Sequence, residues 1–140
     1  MSDIGTFDGA MPATTLDLGA SFTGTILIPL RTDPLSLNRR LHWRTVAKLT
    51  KQWRQFTEWK AKRWPALGRC DATLTWFVVD NRRRDEDNLF RLMKALCDGL
   101  VDAGVVIDDT HEYMRKRCRI KPAEPGTQLA YMELRVERRS

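Results

Sequence analysis

The sequence predicts one α+β (mixed α/β) domain, an about four-stranded sheet with two main helices in the order β-α-β-α-β-β. Three observations carry this. Apolar residues recur at helical spacing over 45–64 and again over 87–103, and they alternate over 72–79 and 114–121. At 140 residues the chain suits a single domain with a single core. That domain is assigned to 23–140. Residues 1–22 mix Gly, Ala, Thr and Asp without sustained periodicity and read as a flexible lead-in that carries no chemistry.

The first strand runs from Thr25 to Leu30, and Thr32, Asp33 and Pro34 end it because proline cannot continue a ladder. Ser36 to Arg40 form a polar loop. From Thr45 to Trp64, Val46, Leu49, Trp53, Phe56 and Trp64 share one arc, while Lys48, Lys51, Arg54, Gln55 and Lys62 share the other. This is an amphipathic helix with a basic outer face. Trp59 falls on its polar side, where it could stack on a base, enter a subunit interface or pack as a partly buried edge residue. Pro65 and Gly68 break the helix, and the β-rich stretch Ala72–Val79 then delivers the chain to Asp80 and an arginine block.

Leu89, Leu92, Met93, Leu96, Leu100 and Ala103 form one stripe of a second helix spanning Asp87–Ala103, with Gly104 as its C-terminal stop. Asp87, Arg91, Lys94 and Asp98 line the opposite stripe. A short apolar run, Val105–Ile107, leads to Asp108 and Asp109. Beyond it Met114, Lys116, Cys118 and Ile120 alternate with Arg115, Arg117, Arg119 and Lys121, so one strand face carries four cations. These repel one another unless water or a polyanion screens them, which predicts an exposed face touching phosphate. After the turn at Pro122, Pro125 and Gly126, a last strand over Thr127–Val136 points Ala130, Met132, Leu134 and Val136 inward.

A formal charge of +6 accompanies 30% charged residues, so the placement of charge is more informative than its amount. Bases dominate at 39–63, 82–84 and 115–121, and acids concentrate between Asp85 and Asp109. An acidic pocket within a basic surface fits a polyanion whose backbone is held while a metal works on it. Cys70, Cys97 and Cys118 lack metal-ligand or disulfide spacing and are expected to be buried reduced thiols. No apolar run approaches the roughly 20 residues of a membrane helix, and 1–20 lack a signal-peptide pattern. A cytoplasmic protein with no membrane partner is expected.

The richest segment is 82–109. Arg82, Arg83 and Arg84 run directly into Asp85, Glu86, Asp87 and Asn88, at the end of a strand and the start of a helix. Mg²⁺ favours one or two carboxylates and leaves the rest of its shell to water and phosphate oxygens. Asp85 and Asp87 could face one ion if the backbone between them turns, Asp109 could complete the set, and Lys94 could offset charge on the phosphorane as a compact cation. Asn88 is better suited to capping the helix. Reach complicates the set, since a helix of about 16 residues spans roughly 24 Å and the residues after Gly104 return only about 16 Å. Either the helix starts after Asp87 or a partner chain contributes.

The string Arg83, Arg84, Asp85, Asp87, Asn88, Leu89, then Lys94, Ala95, Asp98, Leu100, Ala103, Gly104, Asp108 and Asp109 closely resembles the RusA family of Holliday-junction resolvases of bacteria, prophages and phages. Ile28, Pro29 and Leu30, followed by Pro34 to Asn38, look like that family's entry strand and loop, so the resemblance spans about 24–137. It implies a RusA-like fold and a homodimeric, Mg²⁺-dependent crossover-junction endodeoxyribonuclease, with Mn²⁺ as a possible substitute, that nicks four-way DNA symmetrically in recombination and repair. By motif position Asp85, Asp87 and Asp109 would be catalytic metal ligands and Lys94 the catalytic lysine. Three extra residues separate Asn88 from Lys94 relative to the short form of the motif, placing Arg91 six after Asp85 as the alternative cation. Arg82, Arg83, Arg84, Arg91, Arg115, Arg117, Arg119 and Lys121 are the expected DNA contacts, and Trp59 and Trp76 are candidates for the dimer interface. Two other functions stay open: a nuclease for flaps or other branched DNA, and a non-catalytic nucleic-acid-binding module.

Overall fold

A computed structural model of the chain describes residues 21–139. The lead-in assigned to 1–22 lies outside them except for Ser21 and Phe22, and Phe22 is already part of the fold: its ring meets Trp64 edge to face at 5.3 Å. The strands are β1 (Thr23–Ile28), β2 (Cys70–Val78), β3 (Met114–Pro122) and β4 (Tyr131–Arg138), and the helices are α1 (Trp43–Lys60) and α2 (Phe90–Asp102). A 3₁₀ turn, Glu86–Leu89, precedes α2. The four strands form one mixed sheet in the order β1-β4-β2-β3. β4 is antiparallel to both its neighbours, while β2 and β3 are parallel and connected through α2.

Several boundaries differ from the sequence reading. The first strand starts two residues before Thr25 and stops at Ile28, and α1 ends at Lys60 with Ala61 as its cap, leaving Trp64 to pack from the connection. The last strand starts at Tyr131 rather than Thr127, so Ala130 precedes it. The second helix starts at Phe90 rather than Asp87 because the Asp85 carboxylate accepts a bond from the Asp87 amide at 3.0 Å and closes a tighter turn first.

The core is continuous across the layers. Ile26, Ile28, Ala72, Leu74, Met132, Leu134 and Val136 supply the sheet side, and Leu92, Met93, Leu96 and Leu100 supply α2. Gly99 lets the helices meet closely, since a Cβ there would collide with the Arg54 carbonyl and stand 2.7 Å from the Thr57 Cβ. Among the described residues no helix covers the other sheet face. Register places Leu27, Glu133, Thr75 and Arg119 in one row of it, Thr25, Arg135, Thr73 and Arg117 in the next, and Tyr131, Phe77 and Lys121 at one end. Burial of Cys70 and Cys118 pushes their thiols up to about 11 and about 12, so these cysteines stay protonated in neutral water.

Candidate functional site

Beyond the end of β2 the chain makes a loop whose geometry is set by its own charges. Asp80 accepts the Arg82 amide at 3.0 Å and the Arg84 guanidinium at 2.7 Å, and those bonds hold its carboxyl below the usual range. Arg84 also lies over the Trp76 ring at 4.8 Å, and the Trp76 indole donates to the Arg31 carbonyl at 3.0 Å. Both side chains are thereby built into a wall. The 3₁₀ turn docks on the free edge of β3 through Glu86, whose carboxylate accepts the Ile120 amide at 2.9 Å. On the far side, Arg91 donates to the carbonyls of Leu35 and Ser36 at 2.8 and 3.0 Å, and the Leu37 amide bonds the Asn88 carbonyl at 3.2 Å.

These ties frame a cavity of about 1120 Å³ between the 32–39 loop, the 80–89 segment and the end of β3. Arg39, Arg82, Arg83 and Lys121 give it basic walls, and Asp85, Glu86 and Asp87 give it exposed acids. Asp33 also lines it. Buried to 5% exposure, Asp33 accepts the Leu35 amide with one oxygen at 2.8 Å, while its other oxygen has no partner among the described residues. Burial pushes its carboxyl up to about 6 against the pull of the Leu35 amide and of Arg91 and Arg39.

Lys94 and Asp109 meet elsewhere. Lys94 Nζ stands 2.9 Å from Asp109 and 3.5 Å from Asp98, and Lys116 Nζ lies 3.8 Å from the Asp109 carboxylate while donating to its carbonyl at 2.7 Å. The row continues along α2 to Arg54, which is 4.0 Å from Asp98 and bonds Asp102 at 2.5 and 2.8 Å. The bond from Lys94 pulls Asp109 down to about 2, and the same bond raises the Lys94 ammonium. Asp98 is pushed up, first by burial and then by its neighbour Asp109, with Lys94 opposing.

The structure therefore divides the sequence-derived site in two. Asp85 and Asp87 lie beyond the C-terminal end of β2, whereas Asp109 approaches the N-terminal end of its parallel neighbour β3. Among the described residues no three His, Cys, Asp or Glu side chains stand close enough to hold a metal, so Asp85, Asp87 and Asp109 are not gathered into one ligand set. Two exposed carboxylates on a tight turn are hard oxygen donors of the kind Mg²⁺ accepts with a largely aqueous shell. Asp85 and Asp87 fit it on that ground, while Asp109 is occupied by two lysines. Of the expected DNA contacts, Arg82 and Arg83 are exposed, as are Arg115, Arg117 and Lys121, and Arg119 is half-buried. Arg84 and Arg91 are committed to structural bonds. Sequence reading gave no site role to Asp33, Glu86 or Lys116, and it assigned Trp76 to a dimer interface rather than to the cavity wall. Only tertiary contact reveals these roles: the partners of Glu86 and Trp76 lie 34 and 45 residues away, that of Lys116 lies across the loop before β3, and Asp33 is buried near Arg91 although its one hydrogen bond is local.

No family model matches the chain. It is 32% identical over 108 residues, 71% of this chain and 70% of the other, to an uncharacterized protein of Xylella fastidiosa (strain Temecula1 / ATCC 700964). The chain belongs to the same family as that protein.

Proposed function

We propose that this chain is a RusA-type, Mg²⁺-dependent endodeoxyribonuclease that acts on branched DNA, four-way junctions first. The observation that supports this reading best is the pair of exposed carboxylates, Asp85 and Asp87, in a basic-walled cavity of about 1120 Å³. Asp85 and Asp87 would hold the ion, which when bound supplies a water made nucleophilic near neutral pH. Arg82, Arg83, Arg39 and Lys121 fix the flanking phosphates by charge. Lys94, paired with Asp98 and Asp109 outside the residues that line that cavity, would offset charge on the leaving oxygen once the bound backbone draws it from those partners. Arg91 anchors the 35–36 loop instead.

Incubation with a mobile four-way junction in Mg²⁺ tests this directly. Paired nicks are expected from the native chain and none from Asp87→Asn, whose junction binding should persist or tighten through lost repulsion. A near-native cutting rate from Asp87→Asn would remove Asp87 as a ligand. A non-catalytic nucleic-acid-binding module has one observation on its side, the engagement of Asp109 by Lys94 and Lys116. Binding without any Mg²⁺-dependent cleavage would select it. Faster cutting of a flap than of a junction of the same sequence would select the third reading.

A further inference from the structure

The open face of the sheet has an ordered arrangement that a duplex contact does not require. Arg115, Arg117, Arg119 and Lys121 stand at alternate positions of the edge strand β3, and none has an ion-pair partner among the described residues. The acids on the same face do have such partners at two places: Glu137 meets Arg135 at 3.3 Å and Asp71 meets Arg139 at 3.7 Å. Glu133, in the Arg119 row, has none among the described residues, so the unpaired charge of the face is one acid on β4 against a line of four cations along β3. Alternate residues of a strand repeat every 6.6–6.8 Å or about that, which is close to the step between successive phosphates of an extended single strand.

A base attached to a backbone on that line would reach inward across the neighbouring strands, which are about 4.8 Å apart. At the Lys121 end it meets aromatics. Phe77 pairs in register with Lys121 on one side and Tyr131 on the other, and the two rings stack at 4.9 Å with an interplanar angle of 22°. Rings on the central strands of an open sheet offer a π-face that any base can use, and a charged groove beside them tracks the backbone. Lys121 also lines the cavity that holds Asp85 and Asp87, so a strand on this face leads into it.

We infer that the open sheet face binds single-stranded DNA, with successive phosphates along Arg115, Arg117, Arg119 and Lys121 and one base stacked on the Phe77–Tyr131 pair. The inference rests on the proposed function only for the assignment of the β3 cations to DNA, and it needs neither metal nor cleavage.

The test is fluorescence anisotropy of the full chain in EDTA, with a labelled 12-nucleotide single strand of mixed sequence and with its duplex as competitor. The single strand is expected to bind at least about tenfold more tightly than the duplex. Single abasic positions walked along the strand should reveal one position whose loss weakens binding by about tenfold, the effect of removing one stacked base. Phe77→Leu with Tyr131→Leu, which keeps apolar bulk but removes both rings, should abolish that positional effect while leaving the duplex affinity within about twofold. Equal competition by duplex overturns the inference, as does a flat abasic profile on the native chain, which does not depend on any variant folding. Junction cleavage in Mg²⁺ is scored separately, so a chain that cuts nothing can still bind the strand, and a chain that cuts junctions can still fail here.

Discussion

Arg91 and Lys94 sit three residues apart on α2 and meet different surroundings, which separates their roles at the scale of single residues. The Arg91 guanidinium is spent on two carbonyls of a loop, and charged hydrogen bonds of this kind contribute about 1.5–3 kcal/mol together with the cost of leaving the carbonyls unmet. Arg91→Ala should lower the thermal midpoint measurably, whereas Lys94→Ala should change it little and slow cleavage at saturating junction by about 10²-fold or more. A cold cleavage defect in Arg91→Ala with unchanged stability would reverse the assignment. Asp33 gives a pH prediction of the opposite sign to that of Asp109. Its folded carboxyl titrates near 6 against 3.8 when exposed, so burial of its charge costs stability as pH rises from about 4 to about 6, and that cost is absent below 4. Asp109, pulled down to about 2, contributes stability above about 4 that is lost as pH falls toward 2. Asp33→Asn keeps the bond to the Leu35 amide and should stabilise the chain at pH 7 by about 1–3 kcal/mol, with no gain at pH 4. Thermal melts of both proteins across pH 4–7 check it, and a pH-independent difference would show that the Asp33 charge is already satisfied. The 83–109 residues could be read from spacing because they are local. Asp33 could not, since its burial is imposed by elements that arrive later in the chain.

At the scale of elements, the two helices were legible from apolar spacing, but the contact between them was not. Gly99 lies mid-helix, where Gly→Ala ordinarily stabilises by about 1 kcal/mol. Here the added methyl would run into backbone of α1 at Arg54 and lie 3.0 Å from the Glu58 amide, atoms that cannot yield without moving the helix. Gly99→Ala is therefore expected to destabilise by about 2 kcal/mol or more, a reversal of sign that chemical denaturation would show. A stabilised variant would mean that α1 and α2 can separate freely. The start of α2 was misplaced because the carboxylate that caps the 3₁₀ turn is the same Asp85 that the motif reserves for chemistry, and periodicity is blind to a turn of different pitch. For β3 the alternation was decisive: its cations do face outward from an edge strand. Each phosphate contact contributes about −0.9 to the slope of log K against log salt on duplex arms. Arg117→Gln with Arg119→Gln should flatten the junction-binding slope by up to about two such steps, and an unchanged slope in a folded protein would leave these arginines to solvent.

At the scale of the whole molecule, strand order was the part sequence could not supply. β4 inserts between β1 and β2 while β3 is left at the edge, an arrangement decided by which apolar faces complete one core rather than by any local signal. The consequence, among the described residues, is helices on one side of the sheet, a charged face on the other, and a cavity of mixed charge at the end of the parallel pair. No described helix is long and apolar enough to cross a membrane. One Asp85–Asp87 pair per chain cannot make two symmetric cuts on a junction with two-fold symmetry, so the proposed activity requires two chains about a C2 axis with a self-complementary interface. Of the two tryptophans expected there, Trp76 is held in the cavity wall by Arg84 and Arg31, whereas Trp59 is 69% exposed on the outer face of α1 beside Lys60. An exposed aromatic of that size is the kind of residue that dominates an interface once it is covered. Sedimentation at micromolar concentration should give twice the chain mass, and Trp59→Ala should weaken that association by at least about tenfold without changing the thermal midpoint of the monomer. If the native chain stays a monomer even with junction added, paired incision fails with it, and single nicks by independent monomers become the expected product.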